Sequence, residues 1–119
     1  MNIRGLGQAS LILIILSILS ACSMGDESKA WQQINQGALL IDVRTPGEFK
    51  SGHLEDAKLI PVDQLPSRLN EFGDDKDRAI VVYCKSGIRS DRAKSLLEEH
   101  GFTNVTNGGG YQRLLSSKP

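Results

Sequence analysis

Cysteine, histidine and aromatic residues are scarce in this sequence: its 119 residues include 2 Cys, 2 His and 5% aromatic side chains. Two histidines and one cysteine do not make up a closed metal site unless acidic residues join them. Lys and Arg balance Asp and Glu at 14 each, so the formal net charge is +0. This balance excludes the broad basic surface that is typical of nucleic-acid-binding proteins. The sequence therefore indicates one ordinary globular domain without a nucleic-acid partner.

A hydrophobic run long enough to cross a bilayer is also missing. The apolar run Ala9–Ala21 is shorter than the roughly 20 residues that a membrane-spanning helix needs. It follows a start with one arginine and no acid, and it ends in the small residues of "LSAC", Leu19–Cys22. This order is typical of a secretory signal. We expect a signal peptide at 1–21, a tether at 22–29 and a folded domain at 30–119.

The segment Leu19–Cys22 resembles the lipobox of bacterial lipoproteins, in which cleavage precedes the cysteine and its thiol receives a diacylglycerol. By that resemblance Cys22 is lipidated, and its acyl chains hold the protein to a membrane. We expect a location on the periplasmic side of the bacterial envelope, and Ser23 in place of aspartate favours the outer membrane over the inner. A Cys22–Cys84 disulfide is the alternative for an exported chain. Lipidation prevents that bridge and leaves Cys84 as a lone thiol.

Apolar runs and helix signals alternate along the rest of the chain. Short apolar runs bounded by turn residues predict strands at 38–44, 57–62, 79–83 and 102–105. Periodicity and capping signals predict helices at 30–36, 46–52, 65–72 and 90–100, then a glycine turn at 108–110 and a short terminal helix. This alternation predicts an α/β fold with a mostly parallel central sheet and helices on both faces.

The stretch "AIVVYCKSGIRS", Ala79–Ser90, passes directly from an apolar strand to a loop of small and basic residues. In a parallel sheet this is the carboxyl end of a strand, where ligands bind and where the next helix presents free N–H groups. We predict that these groups, with Lys85 and Arg89, stabilise a nucleophilic thiolate on Cys84. Gly87 supplies the backbone freedom for a tight curve that cradles an anion.

This prediction requires the Cys84 sulfur to be reachable and to point toward main-chain amides. The alternative is an inert buried cysteine that packs as a small hydrophobic side chain beside ordinary surface charges. Residue types alone leave both interpretations open.

Three motifs resemble the single-domain rhodaneses, a family of sulfurtransferases. The motif "CKSGIRS", Cys84–Ser90, resembles their active-site loop. The segment "LIDVRTPGEFKSGHLEDAKLIPV", Leu40–Val62, is similar to the family's first signature, and "GFTNVTNGGG", Gly101–Gly110, to its closing one. The small exported form is similar to the phage-shock-type periplasmic rhodaneses. The resemblance implies a rhodanese-like three-layer fold.

By this resemblance Cys84 is the catalytic nucleophile. It takes the sulfane sulfur of a small anionic donor such as thiosulfate, releases sulfite, and passes the sulfur from a persulfide to cyanide or a thiol. No metal or organic cofactor is implied. The expected substrate-binding residues are those of the loop: Lys85, Ser86, Gly87, Ile88, Arg89 and Ser90.

Two other functions stay open. Cysteine phosphatases and arsenate reductases of the same fold resemble this pattern but place five residues between cysteine and arginine. Only four residues separate Cys84 from Arg89, a tighter cradle that suits a sulfane sulfur. A non-catalytic persulfide carrier or binding module would use the same cysteine.

Several residues of the first signature are interpreted as structural. We expect Arg44 to pair with Glu48 across the turn before the second helix. Two departures from the family pattern concern packing: Asp56 stands where glycine is usual, and Leu114 replaces an aromatic residue. Aspartate tolerates the left-handed backbone conformation, so we expect the turn at Asp56 to be kept.

Overall fold

The computed structural model of this chain describes residues 25–119. The signal peptide and the lipidation of Cys22 lie outside the described residues and stay predictions. Within that range no helix combines the length and the apolar character that crossing a membrane requires.

Strands and helices alternate along the described chain, as predicted. The strands are β1 (Leu39–Asp42), β2 (Lys58–Leu59), β3 (Ile80–Cys84) and β4 (Val105–Gly110). The α-helices are α1 (Glu27–Asn35), α2 (Pro46–Ser51), α3 (Ile88–Glu99) and α4 (Tyr111–Ser116). Two 3₁₀-helices, Val62–Ser67 and Leu69–Phe72, follow β2.

The strands form one parallel sheet in the order β2-β1-β3-β4. All residues of β3 are buried, which explains why its sequence is an unbroken apolar run. Because side chains alternate across a strand, Val82 and Cys84 enter the core on one face, while Val81 and Tyr83 enter the core on the other. The predicted α/β fold with a parallel sheet between two layers is confirmed.

Each face of the sheet has its own hydrophobic core. The core that contains Cys84 includes Phe72, Phe102 and the buried side of α3. The opposite core joins α1 and α4, where the Trp31 indole N–H donates to the Leu114 carbonyl oxygen at 2.7 Å. Trp31 is thus a buried core residue of the opening helix α1.

The helix predicted at 65–72 is wrong: the segment forms two 3₁₀-helices. Pro66 lies inside the first and has no N–H to offer an α-helical hydrogen bond. The bonds formed are i→i+3, from the Arg68 N–H to the Leu65 oxygen at 3.1 Å and from the Glu71 N–H to the Arg68 oxygen at 3.0 Å. Leu65 and Phe72 are nevertheless fully buried, so the apolar spacing identified the core side chains correctly.

The predicted glycine turn is also wrong, because β4 continues through it to Gly110 and pairs with β3 as far as Cys84. These glycines allow close packing instead. A Cβ on Gly110 would lie 2.5 Å from the Lys85 carbonyl oxygen, and one on Gly108 would lie 3.0 Å from the Leu114 side chain. Glycine within a strand commonly marks such a close approach.

The local sequence signals for the start of α2 and for the turn at Asp56 predicted the backbone correctly. The Thr45 hydroxyl accepts from the Glu48 N–H at 3.2 Å and the Glu48 carboxylate accepts from the Thr45 N–H at 3.0 Å, a capping box that confirms the predicted start of α2 at residue 46. Asp56 adopts a φ of 66°, the left-handed conformation expected there. α1 starts at Glu27, before the predicted residue 30, because the Asp26 side chain caps it.

We predict that Leu114→Ala destabilises the protein by about 2–5 kcal/mol, because the side chain is 0% exposed and its removal leaves a cavity between α4 and the sheet. The neighbouring Leu115→Ala is the matched control, since Leu115 is 43% exposed and most surface substitutions change stability by less than about 0.5 kcal/mol. Urea unfolding measures both, and equal losses would contradict the described docking of α4.

Candidate active site

Cys84 lies at the carboxyl end of β3, and the short segment 85–87 connects it to α3. Gly87 is the N-cap of α3 and has a φ of 98°, a left-handed conformation that glycine adopts without strain. This turn directs the Gly87 N–H at the Cys84 Sγ, with a nitrogen–sulfur distance of 3.0 Å. The predicted orientation of the sulfur toward main-chain amides is confirmed.

The surroundings of Cys84 lower the pKa of its thiol below the ordinary value of 9.0. Burial is the largest single influence and by itself raises the pKa, because it disfavours a charged sulfur. Hydrogen bonds from the Ser90 hydroxyl and from the main-chain N–H groups of Ser90, Ser86 and Gly87 outweigh it. The thiolate is therefore populated at a lower pH than in a free cysteine, and its fraction falls as the pH drops.

The prediction that the Cys84 sulfur is reachable is wrong for this structure, because Cys84 is 0% exposed. The short connection holds the Gly87 amide directly against Sγ, and the buried Ser90 hydroxyl lies 3.4 Å away on α3. The same groups that stabilise the thiolate thus also cover it.

The other loop residues divide into two groups. Ser86, Gly87 and Ser90 hold the sulfur, whereas Lys85 and Ile88 point into solvent, Ile88 with 60% of its surface exposed. The Ile88 side chain therefore forms part of the outer surface of the loop and does not stabilise the sulfur.

Arg89 pairs with a carboxylate. Its guanidinium binds Glu48 of α2 in a bidentate arrangement, at 2.7 and 3.1 Å. This pair lowers the pKa of Glu48 to about 2, with the Arg89 hydrogen bond as the main cause, so the pair persists down to strongly acidic pH. Arg89 therefore connects α3 to α2 and presents less free positive charge to an anion than the sequence predicted.

The predicted Arg44–Glu48 pair is wrong. Arg44 binds Asp42 instead, at 3.0 Å from Nε and 2.7 Å from Nη2, and it also donates to the Gly52 carbonyl oxygen at 2.7 Å. Its guanidinium carbon lies 4.5 Å from the centre of the Tyr111 ring. Asp42 lies two residues before Arg44 at the end of β1 and binds its guanidinium, whereas Glu48 is bound by Arg89.

A cavity of about 250 Å³ opens beside the loop. Its lining combines the ends of β1 and α2 with the loop and α4: Arg44, Glu48, Ser51, Gly52, Lys85, Tyr111 and Gln112. A larger cavity of about 650 Å³ lies between α1 and α4 and has no loop residue in its lining. Among residues 25–119, no group of three or more His, Cys, Asp and Glu side chains could hold a metal ion.

One buried polar residue of the site, Asn107 on β4, was not predicted from the sequence. Its Oδ1 accepts from the Ser90 hydroxyl at 2.7 Å, and its Nδ2 donates to the Gly87 carbonyl oxygen at 3.1 Å. The predicted strand ended at residue 105, so no local signal marked Asn107 as a buried polar group that needs hydrogen-bond partners.

The fold and the site define a class: an α/β domain in which a cysteine at the end of a central strand is held by amides of the turn before the next helix. The Rhodanese-like domain family model matches residues 26–116, and the chain belongs to that family.

Its relatives include proteins with sulfur-transfer names. The chain is 40% identical over 72 residues to a sulfurtransferase of Allochromatium vinosum, covering 60% of this chain and 65% of the relative. It is 36% identical over 78 residues to thiosulfate sulfurtransferase PspE of Escherichia coli, covering 66% and 75%. A solved structure described as a rhodanese with anions from E. coli superimposes with a TM-score of 0.60 at 36% identity, covering 64% of this chain and 89% of that one.

Some relatives are much longer proteins. The chain is 39% identical over 87 residues to the tRNA uridine(34) hydroxylase of Hamiltonella defensa, but it spans 24% of that protein. It also spans less than two thirds of the Allochromatium protein, at 65%, and of the Bacillus subtilis protein YqhL, at 60%.

We predict that Gly110→Ala raises the pKa of the Cys84 thiol, because the new Cβ would push the Lys85 backbone and weaken the Gly87–sulfur bond. Gly110 has a φ of −90°, so the backbone conformation itself accepts alanine. The control is Gly47→Ala in α2, where a Cβ meets no heavy atom within 4 Å. The pH dependence of iodoacetamide alkylation at Cys84, followed by peptide mass mapping, measures the pKa; equal values in both variants would contradict the described contact.

Proposed function

We propose that this protein is a thiosulfate sulfurtransferase that carries sulfur as a persulfide on Cys84. The main support is the 3.0 Å contact between the Gly87 N–H and the Cys84 sulfur, which stabilises a thiolate at the end of the central strand. The names of the PspE and Allochromatium relatives agree with this activity. Thiosulfate or a similar small anion is the donor, and a thiol or cyanide is the acceptor.

In the first step the Cys84 thiolate attacks the outer sulfur of the donor. A new S–S bond forms to Sγ, the S–S bond of thiosulfate breaks, and sulfite leaves with its electron pair. The negative charge moves from Sγ to the terminal sulfur of the persulfide. Because Cys84 is 0% exposed, the groups that cover Sγ must shift before the donor arrives.

In the second step an acceptor thiolate or cyanide attacks the terminal sulfur. The S–S bond of the persulfide breaks, and its electron pair returns to Sγ as the thiolate. The loop amides that held the first thiolate stabilise this leaving group as well. Both half-reactions thus use the same hydrogen bonds.

The structure argues against the phosphatase alternative through Arg89. A phosphoryl group needs a free bidentate guanidinium, whereas both terminal nitrogens of Arg89 already contact Glu48. The shorter spacing between Cys84 and Arg89 agrees with this. The tRNA uridine(34) hydroxylases are much longer proteins, and this chain spans 24% of the one from Hamiltonella defensa. We therefore do not carry the activity in their name over to this chain.

We predict that the full-length protein gains one sulfur atom on Cys84 when it is treated with thiosulfate, and that cyanide or a thiol removes it in repeated turnovers. Intact and peptide mass spectrometry locates the added sulfur and distinguishes Cys84 from Cys22. Cys84→Ser should gain none, because its hydroxyl is a far weaker nucleophile. A single stoichiometric release of sulfite without turnover would favour the carrier function, and phosphatase activity above sulfur transfer would overturn the proposal.

We predict that Lys85→Ala raises the KM for thiosulfate about fivefold, since a unit charge about 4 Å from an anion contributes roughly 1 kcal/mol in water. Transfer from the persulfide to a neutral thiol should change little. Lys29→Ala is the control, because Lys29 is also exposed but lies on α1. Steady-state kinetics at low and high salt measure the effect; equal losses in both half-reactions would show that Lys85 does not recognise the donor.

A further inference from the structure

The Ser90 hydroxyl lies between two groups that compete for its proton. Its oxygen is 2.7 Å from the Asn107 Oδ1 and 3.4 Å from the Cys84 Sγ. All three residues are buried. A serine hydroxyl has one hydrogen, so at any moment it donates to only one of the two.

The orientation of the Asn107 amide follows from its neighbours. The Gly109 N–H approaches one amide atom at 2.9 Å and must meet an acceptor, which is Oδ1. The Gly87 carbonyl oxygen lies 3.1 Å from the other and must meet a donor, which is Nδ2. Since Oδ1 has no hydrogen, the short contact with Ser90 requires the serine to donate.

This arrangement suits a protonated cysteine. With its hydrogen on Asn107, the Ser90 oxygen presents lone pairs to Cys84, and a thiol S–H can donate to them. A thiolate would face those lone pairs unfavourably. Ionisation is therefore easier when the hydroxyl turns from Asn107 to the sulfur, while Asn107 keeps the Gly109 N–H as a donor to Oδ1.

A register shift holds Asn107 in this position. Asn107 is paired with Val82, but the next pair joins Tyr83 to Gly109, so β4 carries one extra residue beside Asn107. Such a bulge re-aims a strand side chain and is common next to active sites. Here it allows the Gly109 N–H to turn back to Oδ1 while the Asn107 amide reaches Gly87 and Ser90.

We propose that Asn107 is a positioning residue that competes with the Cys84 sulfur for the Ser90 proton and so adjusts how readily that sulfur ionises. The hydroxyl turns to Sγ in the free thiolate. It returns to Asn107 when sulfur uptake moves the negative charge from Sγ to the terminal sulfur of the persulfide. This second movement rests on the proposed function, whereas the competition in the free protein does not.

Charged groups around the loop are unchanged in the test. They are Lys85 in the loop, the Arg89–Glu48 pair between α3 and α2, and the Asp42–Arg44 pair at the end of β1. β4, which carries Asn107, contributes no acidic or basic side chain.

The test is a double-mutant cycle on the full-length chain, with Ser90→Ala, Asn107→Ala and the double variant. The pKa of Cys84 is measured from the pH dependence of iodoacetamide alkylation of its peptide. Asn107→Ala also removes the Gly87 and Gly109 bonds, and its effect in the Ser90→Ala background measures that loss. Asn107→Ala changes the pKa of Cys84 in each background. We expect this change to be roughly 0.5–1 pH unit more negative when Ser90 is present than in the Ser90→Ala background. The same shift in both backgrounds would overturn the proposal.

Ser90→Ala alone gives a second answer if the Asn107 variants do not fold. A hydroxyl that turns to the thiolate lowers the pKa, so its loss must raise it; an unchanged or lower pKa would overturn the proposal. A further readout is the equilibrium between thiolate and persulfide at fixed thiosulfate and sulfite, which should move toward the thiolate several-fold in Asn107→Ala. Absence of sulfur uptake in the unmodified protein would refute the proposed function, while the alkylation cycle would still decide the role of Asn107.

Discussion

The site depends on one constraint: the short turn after β3, which keeps the hydrogen bond from the Gly87 main-chain N–H to the Cys84 sulfur at 3.0 Å. That bond exists because a fully buried strand delivers the cysteine to a turn so short that the next helix begins at Ile88. The strand cannot shift without disturbing cores on both faces of the sheet. The same constraint explains two opposed properties of the thiol, its lowered pKa and its lack of exposed surface.

Charge around the sulfur is largely neutralised in pairs. Arg89 is bound to Glu48 and Arg44 to Asp42, so the two guanidiniums nearest the loop act as ties between elements. The thiolate is held mainly by hydrogen bonds from amides and the Ser90 hydroxyl. The cradle around the sulfur is therefore built mainly from neutral hydrogen-bond donors.

Some predictions failed for reasons that lie in three-dimensional packing. A helical spacing of apolar residues at 65–72 identified the buried side chains, but Pro66 diverted the backbone into 3₁₀ turns. Glycines at 108–110 were interpreted as a turn, although they extend β4. Glycine is needed there because neighbouring backbone and side chains leave no room for a Cβ at Gly108 and Gly110. Arg44 was assigned to Glu48 by proximity in sequence, while the fold offered each a partner with better geometry.

Local sequence patterns were enough to predict the α/β alternation, the capped helix start after Thr45, the left-handed turn at Asp56, the family signatures and the place of Cys84 at a strand end. These features depend on residues close together in the chain, where periodicity and turn chemistry act. Three features could be seen only in the folded chain: the sulfur is covered, Arg89 pairs with Glu48, and Asn107 shares the Ser90 hydroxyl with Cys84. Each of the latter joins residues that are distant in sequence or depends on what packs above them, and such contacts leave no local pattern.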